Sequence, residues 1–465
     1  MRARTILGAA AVTVAAVLLA GCGGGSTTGS GGDLGAGASV APANAVAFVA
    51  VDTDVSSSQW QAVDALLQKF PGHDALLEKL EQSLTKKTSL DWTTDVQPAL
   101  GSELDLVVLP ATSNGKPDFV ALVQPGDASK LDALVKKIEA NSGKTLVTAQ
   151  VSGWTAIAGT QSALDAVSGA STSLADSNTY QDATSKLATS PLATVYANGA
   201  EAMQLLGTLG TSLPTPAGGA QLQWVSADVV AASDGVKVDG YVRTNGGKAP
   251  AAPYTSTLVS KIPSGALAVA DFDATSSSVS LPKSLSGALG GETALYVSAG
   301  SEMPAVTLVT HPSDPQAAAD ALDKAVSGAL AGLGSAAGSL PSSGGLGGLG
   351  SILGNIHLYH DVVGDTLVAS TSQQGIADFE GGGPKLGDDA AFKDGTSAAG
   401  MPAETNGFVY VNLKDAVPLV EGLVSMVGKG LPSATQANLA PLRTATGYAT
   451  SAGDELHFSL FVQIG

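Results

Sequence analysis

Five short segments of this chain occur twice, in the same order. Pro42-Ala43-Asn44-Ala45-Val46-Ala47-Phe48-Val49-Ala50-Val51-Asp52 returns as Pro263-Ser264-Gly265-Ala266-Leu267-Ala268-Val269-Ala270-Asp271-Phe272-Asp273. Leu100-Gly101-Ser102-Glu103 returns as Leu289-Gly290-Gly291-Glu292, and Leu122 to Asp127 as Leu308 to Asp314. Tyr180-Gln181-Asp182 matches Phe392-Lys393-Asp394, and Val195-Tyr196-Ala197-Asn198 matches Val409-Tyr410-Val411-Asn412. One such match in an Ala/Gly-rich chain is chance, but five in register are not. The sequence therefore predicts a tandem duplication, with units over 42–244 and 263–465 joined by a linker over 245–262.

Within each unit the pattern alternates between strand and helix. Ala45 to Val51 is an unbroken apolar run, the signature of a strand buried on both faces. Trp60, Val63, Leu66 and Leu67 recur at helical spacing, and a helical insertion follows over Asp74 to Lys87. Asp127 is placed to cap a helix whose buried stripe is Leu131, Leu134, Val135 and Ile138. Asp314-Pro315 marks the same start in the second unit. Each unit closes on a hairpin. Around Asp234-Gly235 the strand places Val236, Val238 and Val242 on one face and Lys237, Asp239, Tyr241 and Arg243 on the other. Its counterpart after Asp454 is expected to turn Leu456, Phe458, Leu460 and Val462 inward. The fold class is α+β, with mainly antiparallel sheets and helices packed on one face.

The only cysteine, Cys22, ends the run Leu18-Leu19-Ala20-Gly21-Cys22, after Arg2, Arg4 and the apolar stretch from Ile6 to Ala20. That stretch is shorter than the ~20 residues a spanning helix needs. The order resembles a bacterial lipoprotein signal with its lipobox, Leu19-Ala20-Gly21-Cys22. The resemblance implies a signal peptide over 1–21 and a diacylglyceryl and acyl (palmitate-type) lipid on the Cys22 sulfur. The protein is then anchored on the extracytoplasmic face of the cell membrane. One acyl chain anchors marginally and two or more anchor stably. Residues 22–41, rich in Gly, Ser and Thr, are expected to serve as a tether. A retained apolar anchor and a secretory signal cleaved without lipidation are the competing readings.

With Cys22 lipidated no thiol remains, which excludes disulfides, thiolate metal sites and cysteine nucleophiles. The net charge is −18, and −20 (21 basic against 41 acidic residues) once Arg2 and Arg4 leave with the signal. Such a surface is repelled by nucleic-acid phosphates and anionic headgroups, so no nucleic-acid partner is expected.

Candidate chemistry is sparse. His357 and His360 form a His-x-x-His pair, but the stretch reads as a strand, on which positions three apart face opposite ways. His457 falls on the hairpin face opposite the expected core, and His73 and His311 sit in loops. Gly345-Leu346-Gly347-Gly348-Leu349-Gly350 matches a dinucleotide-binding fingerprint formally. It lies inside the Gly/Leu-rich insertion 328–354, without the strand and helix that make the fingerprint work. No catalytic, cofactor-binding or metal-binding residue is assigned, and no cofactor is expected beyond the lipid on Cys22.

The pattern Asp95-Val96-Gln97-Pro98-Ala99-Leu100-Gly101, following a Pro…Phe-Val-x-Val-Asp opening strand and its helices, resembles the DUF3352 family of uncharacterised bacterial envelope proteins. The chain has Ala99 where the family pattern has an aromatic, and the second unit keeps only Leu289-Gly290. The resemblance implies an extracytoplasmic α+β protein and transfers no catalytic residue. The functional expectation is a non-enzymatic structural or interaction protein of the cell envelope, with an envelope protein or a lipid as partner. A binder or carrier of an apolar ligand such as a lipid is the second reading, and a hydrolase with a dispersed active site the third.

Overall fold

A computed structural model describes residues 34–74, 78, 88–111, 116–199, 201–203, 220–246, 251–276, 289–300, 303–324, 357–426 and 431–465. The lipobox residues, most of the insertion at 74–87 and the Gly/Leu-rich stretch 328–354 lie outside them. The chain divides into two units, 1–247 and 248–465.

In the first unit the strands are β1 (Ala47–Asp52), β2 (Glu103–Val108), β3 (Phe119–Val123), β4 (Val147–Val151), β5 (Trp154–Ala158), β6 (Ala193–Asn198), β7 (Gln221–Ala232) and β8 (Gly235–Asn245). Their spatial order is β4-β5-β3-β2-β1-β6-β7-β8, with every pairing antiparallel. The helices are α1 (Ser58–Leu67), α2 (Ala128–Ser142), α3 (Gln161–Ser168) and α4 (Asn178–Thr184). Each starts where a side chain satisfies a free amide: Ser57 accepts from Trp60 N, Asp127 from Ser129 N and Lys130 N, Thr160 from Ala163 N and Ser177 from Tyr180 N.

Strand alternation sorts the apolar residues onto two faces. Phe48, Ala50, Val107, Val120, Leu122, Trp154, Ala156 and Tyr196 pack with Leu164, Val167 and Ala183 of α3 and α4. On the opposite face Val123, Leu104 and Ile157 pack with Leu131, Leu134 and Val135 of α2. Helices thus lie on both faces of this sheet and not on one as expected, because the predicted stripe of α2 is itself apolar enough to need cover.

The second unit contains β9 (Ala268–Asp273), β10 (Glu292–Ser298), β11 (Ala305–Thr310), β12 (Tyr359–Val363), β13 (Thr366–Ser370), β14 (Gly407–Asn412), β15 (Leu442–Ala452) and β16 (Glu455–Ile464). Their order, β12-β13-β11-β10-β9-β14-β15-β16, is step for step that of the first unit and again antiparallel. Helices α5 (Gln373–Glu380), α6 (Ala390–Ala399), α7 (Leu413–Met426) and α8 (Ser433–Leu439) follow in sequence. The helix over 315–324 packs Ala318, Ala319 and Leu322 on Leu367 and Ala369. Asp314 Oδ1 accepts from Ala317 N at 3.0 Å, as the Asp-Pro start predicts.

Three further expectations change. The tether was to end at residue 41, yet 34–41 belongs to the packed unit: Ala36–Ser39 form a 3-10 turn, and Ala38, Val40 and Ala41 enter the core. The linker was to run to 262, yet Leu258 and Ile262 are fully buried. Composition misleads at 34–41 because small residues, poor at driving burial, fill a narrow space well. The facing of the last hairpin is also inverted. In β16 Ser459, Phe461 and Gln463 are buried while Leu460 is 45% exposed, and of the opposite parity only the terminal Ile464 is buried. Phe461 lies opposite Thr446, which pairs with Tyr410 on the face under α6.

Candidate functional site

The least ordinary chemistry in the described residues is a pair of carboxyl groups closed inside the first unit. Alternation along β2 turns Glu103, Asp105 and Val107 to one face. Asp105 stands opposite Ala50 in β1 and Leu122 in β3, both core residues, and is 0% exposed. Over this spot lies the segment that leads into the unit. Glu103 Oε1 accepts from Gly35 N at 2.6 Å, and the Ala36 and Gly37 amides also turn toward it. A carboxylate at the free amides of a turn is the arrangement that caps a helix N-terminus. The segment is tied again at Ala41, whose carbonyl accepts from Leu174 N at 2.7 Å.

Gly37 lies directly on the aspartate, and a Cβ there would stand 1.8 Å from Asp105 Oδ2. Only glycine permits that approach. Neither Asp105 oxygen accepts a well-formed hydrogen bond. Its polar neighbours are the Glu103 carboxylate and the Gly37 amide. Burial first, and then the Glu103 charge, push the Asp105 pKa well above the ordinary value. Burial also raises Glu103, against the opposing pull of Asp105 and the Gly35, Ala36 and Gly37 amides. Of the two, Asp105 is the group pushed further toward its protonated form. Tyr180 of α4 is pushed upward by burial and by these two carboxyl groups.

The second unit holds its own lead-in with the equivalent glutamate. Glu292 Oε1 accepts from Thr257 N at 2.8 Å and Leu258 N at 2.9 Å, and Oε2 accepts from the Thr257 hydroxyl. The 3-10 turn Leu258–Ser260 starts there, and the Ile262 carbonyl accepts from Leu386 N at 2.8 Å. The buried aspartate, however, comes from the other strand. Asp271 of β9 stands opposite Ala294 of β10, where the first unit has Ala50 opposite Asp105. The Tyr254 hydroxyl donates to its Oδ1 at 2.6 Å, and the Ser256 hydroxyl, 2.9 Å from Oδ2, shares its one proton with Glu292 Oε1 at 2.8 Å. Burial first, and then the Glu292 charge, push Asp271 up to about 6, with the Tyr254 hydrogen bond opposing them.

Asp105 and Asp271 are enclosed by their own chain, and Glu103 and Glu292 hold lead-in backbone amides. Amide donors aimed at Glu103 also oppose a cation there. Among the described residues no group of three or more His, Cys, Asp or Glu is arranged to hold a metal.

Cys22 and the lipobox residues Leu19, Ala20 and Gly21 lie outside the described residues. His360 is on β12, 3.2 Å from Asp323, and the His357 ring lies against Tyr359 just before that strand. His311 Nε2 is 3.2 Å from Lys261 Nζ, His73 pairs with Asp74, and His457 stacks edge-on against Tyr448. The sequence reading passed over Asp105 and Asp271. A signal was present: both are acids inside apolar strands, at positions whose alternation points to the core.

No curated protein matches this chain. Among solved structures, crystal forms III and IV of TP0453 align at 8% identity, with TM-scores of 0.23 and 0.24. They cover 45% and 46% of this chain and 80% and 81% of theirs. A similarity that low assigns neither fold nor function. Residues 5–160 match the family described as "Protein of unknown function (DUF3352)", a match confined to the first unit.

Proposed function

We propose that the chain is a lipid-anchored protein of the extracytoplasmic membrane face, with a structural or interaction role and no catalysis. The carrying observation is the lead-in. The described residues begin at Leu34, twelve positions after Cys22, and already belong to a packed body, so little sequence separates the lipobox cysteine from it. The enclosed carboxyl groups and the acidic surface support a non-enzymatic role without nucleic acid. No helix of the described residues is long and apolar enough to cross a membrane, so the anchoring in this reading falls to the lipid. We also read the two units as a tandem duplication. Supporting it are the common strand order and the Tyr180–Tyr196 and Phe392–Tyr410 pairs, each at 5.1 Å and 81°.

The test is metabolic labelling with an alkyne palmitate analogue in a bacterial host that processes lipoproteins. The wild-type chain labels and sediments with membranes, and Cys22→Ser does neither. Label retained by Cys22→Ser, or membrane association unchanged by it, overturns the reading.

One observation favours binding of an apolar ligand as a second reading. On the second-unit face opposite α6, Leu460, Gly447, Val409, Ala270 and Leu295 lie side by side in register, and the row ends at Leu308 beside the helix over 315–324. Leu295, Val409 and Leu460 are among its exposed large apolar residues. Native mass spectrometry of detergent-extracted protein tests it, a retained lipid mass supporting it and bare protein opposing it.

A further inference from the structure

We propose that Glu103 and Asp105 form a proton-dependent latch on residues 34–40, holding the chain that enters the first unit while Asp105 is protonated and releasing it when that proton is lost. Three features carry this. Glu103 takes the Gly35 amide, and Gly37 lies on Asp105 with no side chain between them. Neither Asp105 oxygen has a donor of good geometry to stabilise a negative charge. Loss of the proton to solvent leaves two carboxylates on one face of β2, two residues apart, under a buried backbone.

The titratable groups around the pair add no compensating positive charge. Asp105 faces Glu103 on its own strand and Tyr180 on α4, and Asp52 at the end of β1 acts on Glu103 as a further acid. The lead-in contributes only amides. The second unit supplies the contrast. Asp271 keeps the Tyr254 hydroxyl as a donor when ionised and shares the single Ser256 proton with Glu292, so its lead-in stays held. Only the lead-in that follows Cys22 has the donor-poor form.

Release stops at Ala41, which Leu174 retains. Seven freed residues extend about 24 Å at most. If Cys22 is the anchor, as proposed above, that length is added between membrane and body; the latch itself does not depend on the lipid.

Hydrogen exchange by mass spectrometry on the full chain, corrected for intrinsic rates, tests it from pH 4 upward across the range in which the chain stays folded. In the wild type, protection of the peptide spanning 34–40 falls at least tenfold, while that of 256–262 changes less than twofold. Asp105→Asn places a permanent donor beside Glu103 and flattens the first profile. Glu103→Gln, which keeps an acceptor for Gly35 and offers its amide to Asp105, flattens it too. A flat wild-type profile overturns the proposal, as does a wild-type fall in both variants. Parallel loss at 256–262 also overturns it, since the loosening is then general. Should one variant fail to fold, the other and the wild-type profile decide.

Discussion

Asp105 lies opposite Ala50 across β1 and β2, and in the second unit the same cross-strand pair is Ala294 and Asp271, with the acid on the other strand. Each sheet thus tolerates one buried carboxyl at that point, beside the glutamate that captures the lead-in. Which strand supplies it decides what it meets: Gly37 in one case, and the Tyr254 and Ser256 hydroxyls in the other.

Asp105→Asn should stabilise the protein above neutral pH and change little near pH 4. The folded state binds the Asp105 proton more tightly than the unfolded chain, where an aspartate titrates near 3.9. Its stabilising contribution is complete below that value and is lost as pH rises through the raised folded pKa. The amide removes the loss, for a gain on the order of 1–3 kcal/mol at pH 8. Thermal unfolding at pH 4 and pH 8 measures both, and an equal shift at the two values contradicts the assignment.

Gly37→Ala should destabilise the first unit by about 1–3 kcal/mol through overpacking against Asp105. Combining it with Asp105→Ala, the residue type that stands at Ala294, should recover part of that loss. Denaturant titration of the two single variants and the double variant gives the coupling; simple additivity would place the clash elsewhere.

Asp271 titrates at about 6 in the folded protein, so its contribution fades as pH climbs from about 4 through 6. A shift of about two units corresponds to at most about 3 kcal/mol. Asp271→Asn retains an acceptor for the Tyr254 hydroxyl and should flatten the stability profile over that window. Asp52, also raised to about 6 by burial, acts in the same direction in the first unit. The informative quantity is therefore the difference between variant and wild type, and no difference in slope would place the proton on another group.

The facing of β16 is tested by neighbouring residues. Phe461→Ala should cost about 3–5 kcal/mol, as expected for an aromatic lost from a core. Leu460→Ser, on the face opposite α6, should cost well under 1 kcal/mol. Chemical denaturation of both variants reads this directly, and the reverse ranking would restore the facing expected from hydrophobic alternation.

Much of the scaffold is written locally. Asp127 and Leu131, Leu134 and Val135 specify α2 because capping and helical spacing operate within one turn or two. The β7–β8 hairpin is legible in the same way, although its turn falls one residue earlier than expected, on Ser233-Asp234, with Gly235 already paired to Ala232. The five repeated segments are legible as well, and Tyr180 and Phe392 occupy equivalent helices against Tyr196 and Tyr410. Alternation in β16 misled because Leu460 and Phe461 are both apolar. Which one is buried depends on where α6 lies, and no local pattern states that.

The carboxyl pair shows the same division at the site. The sequence by itself determined that Glu103 and Asp105 share a strand face, and that Gly35 and Gly37 lie in a flexible-looking run. Only the tertiary structure laid that run over β2, 68 residues away, and so turned two acids into a closed pair with a displaced proton equilibrium. Local chemistry sets capping, turns and strand parity through neighbours a few residues apart. Burial of a carboxyl, and hence its charge, depends on segments distant in sequence closing water away from it.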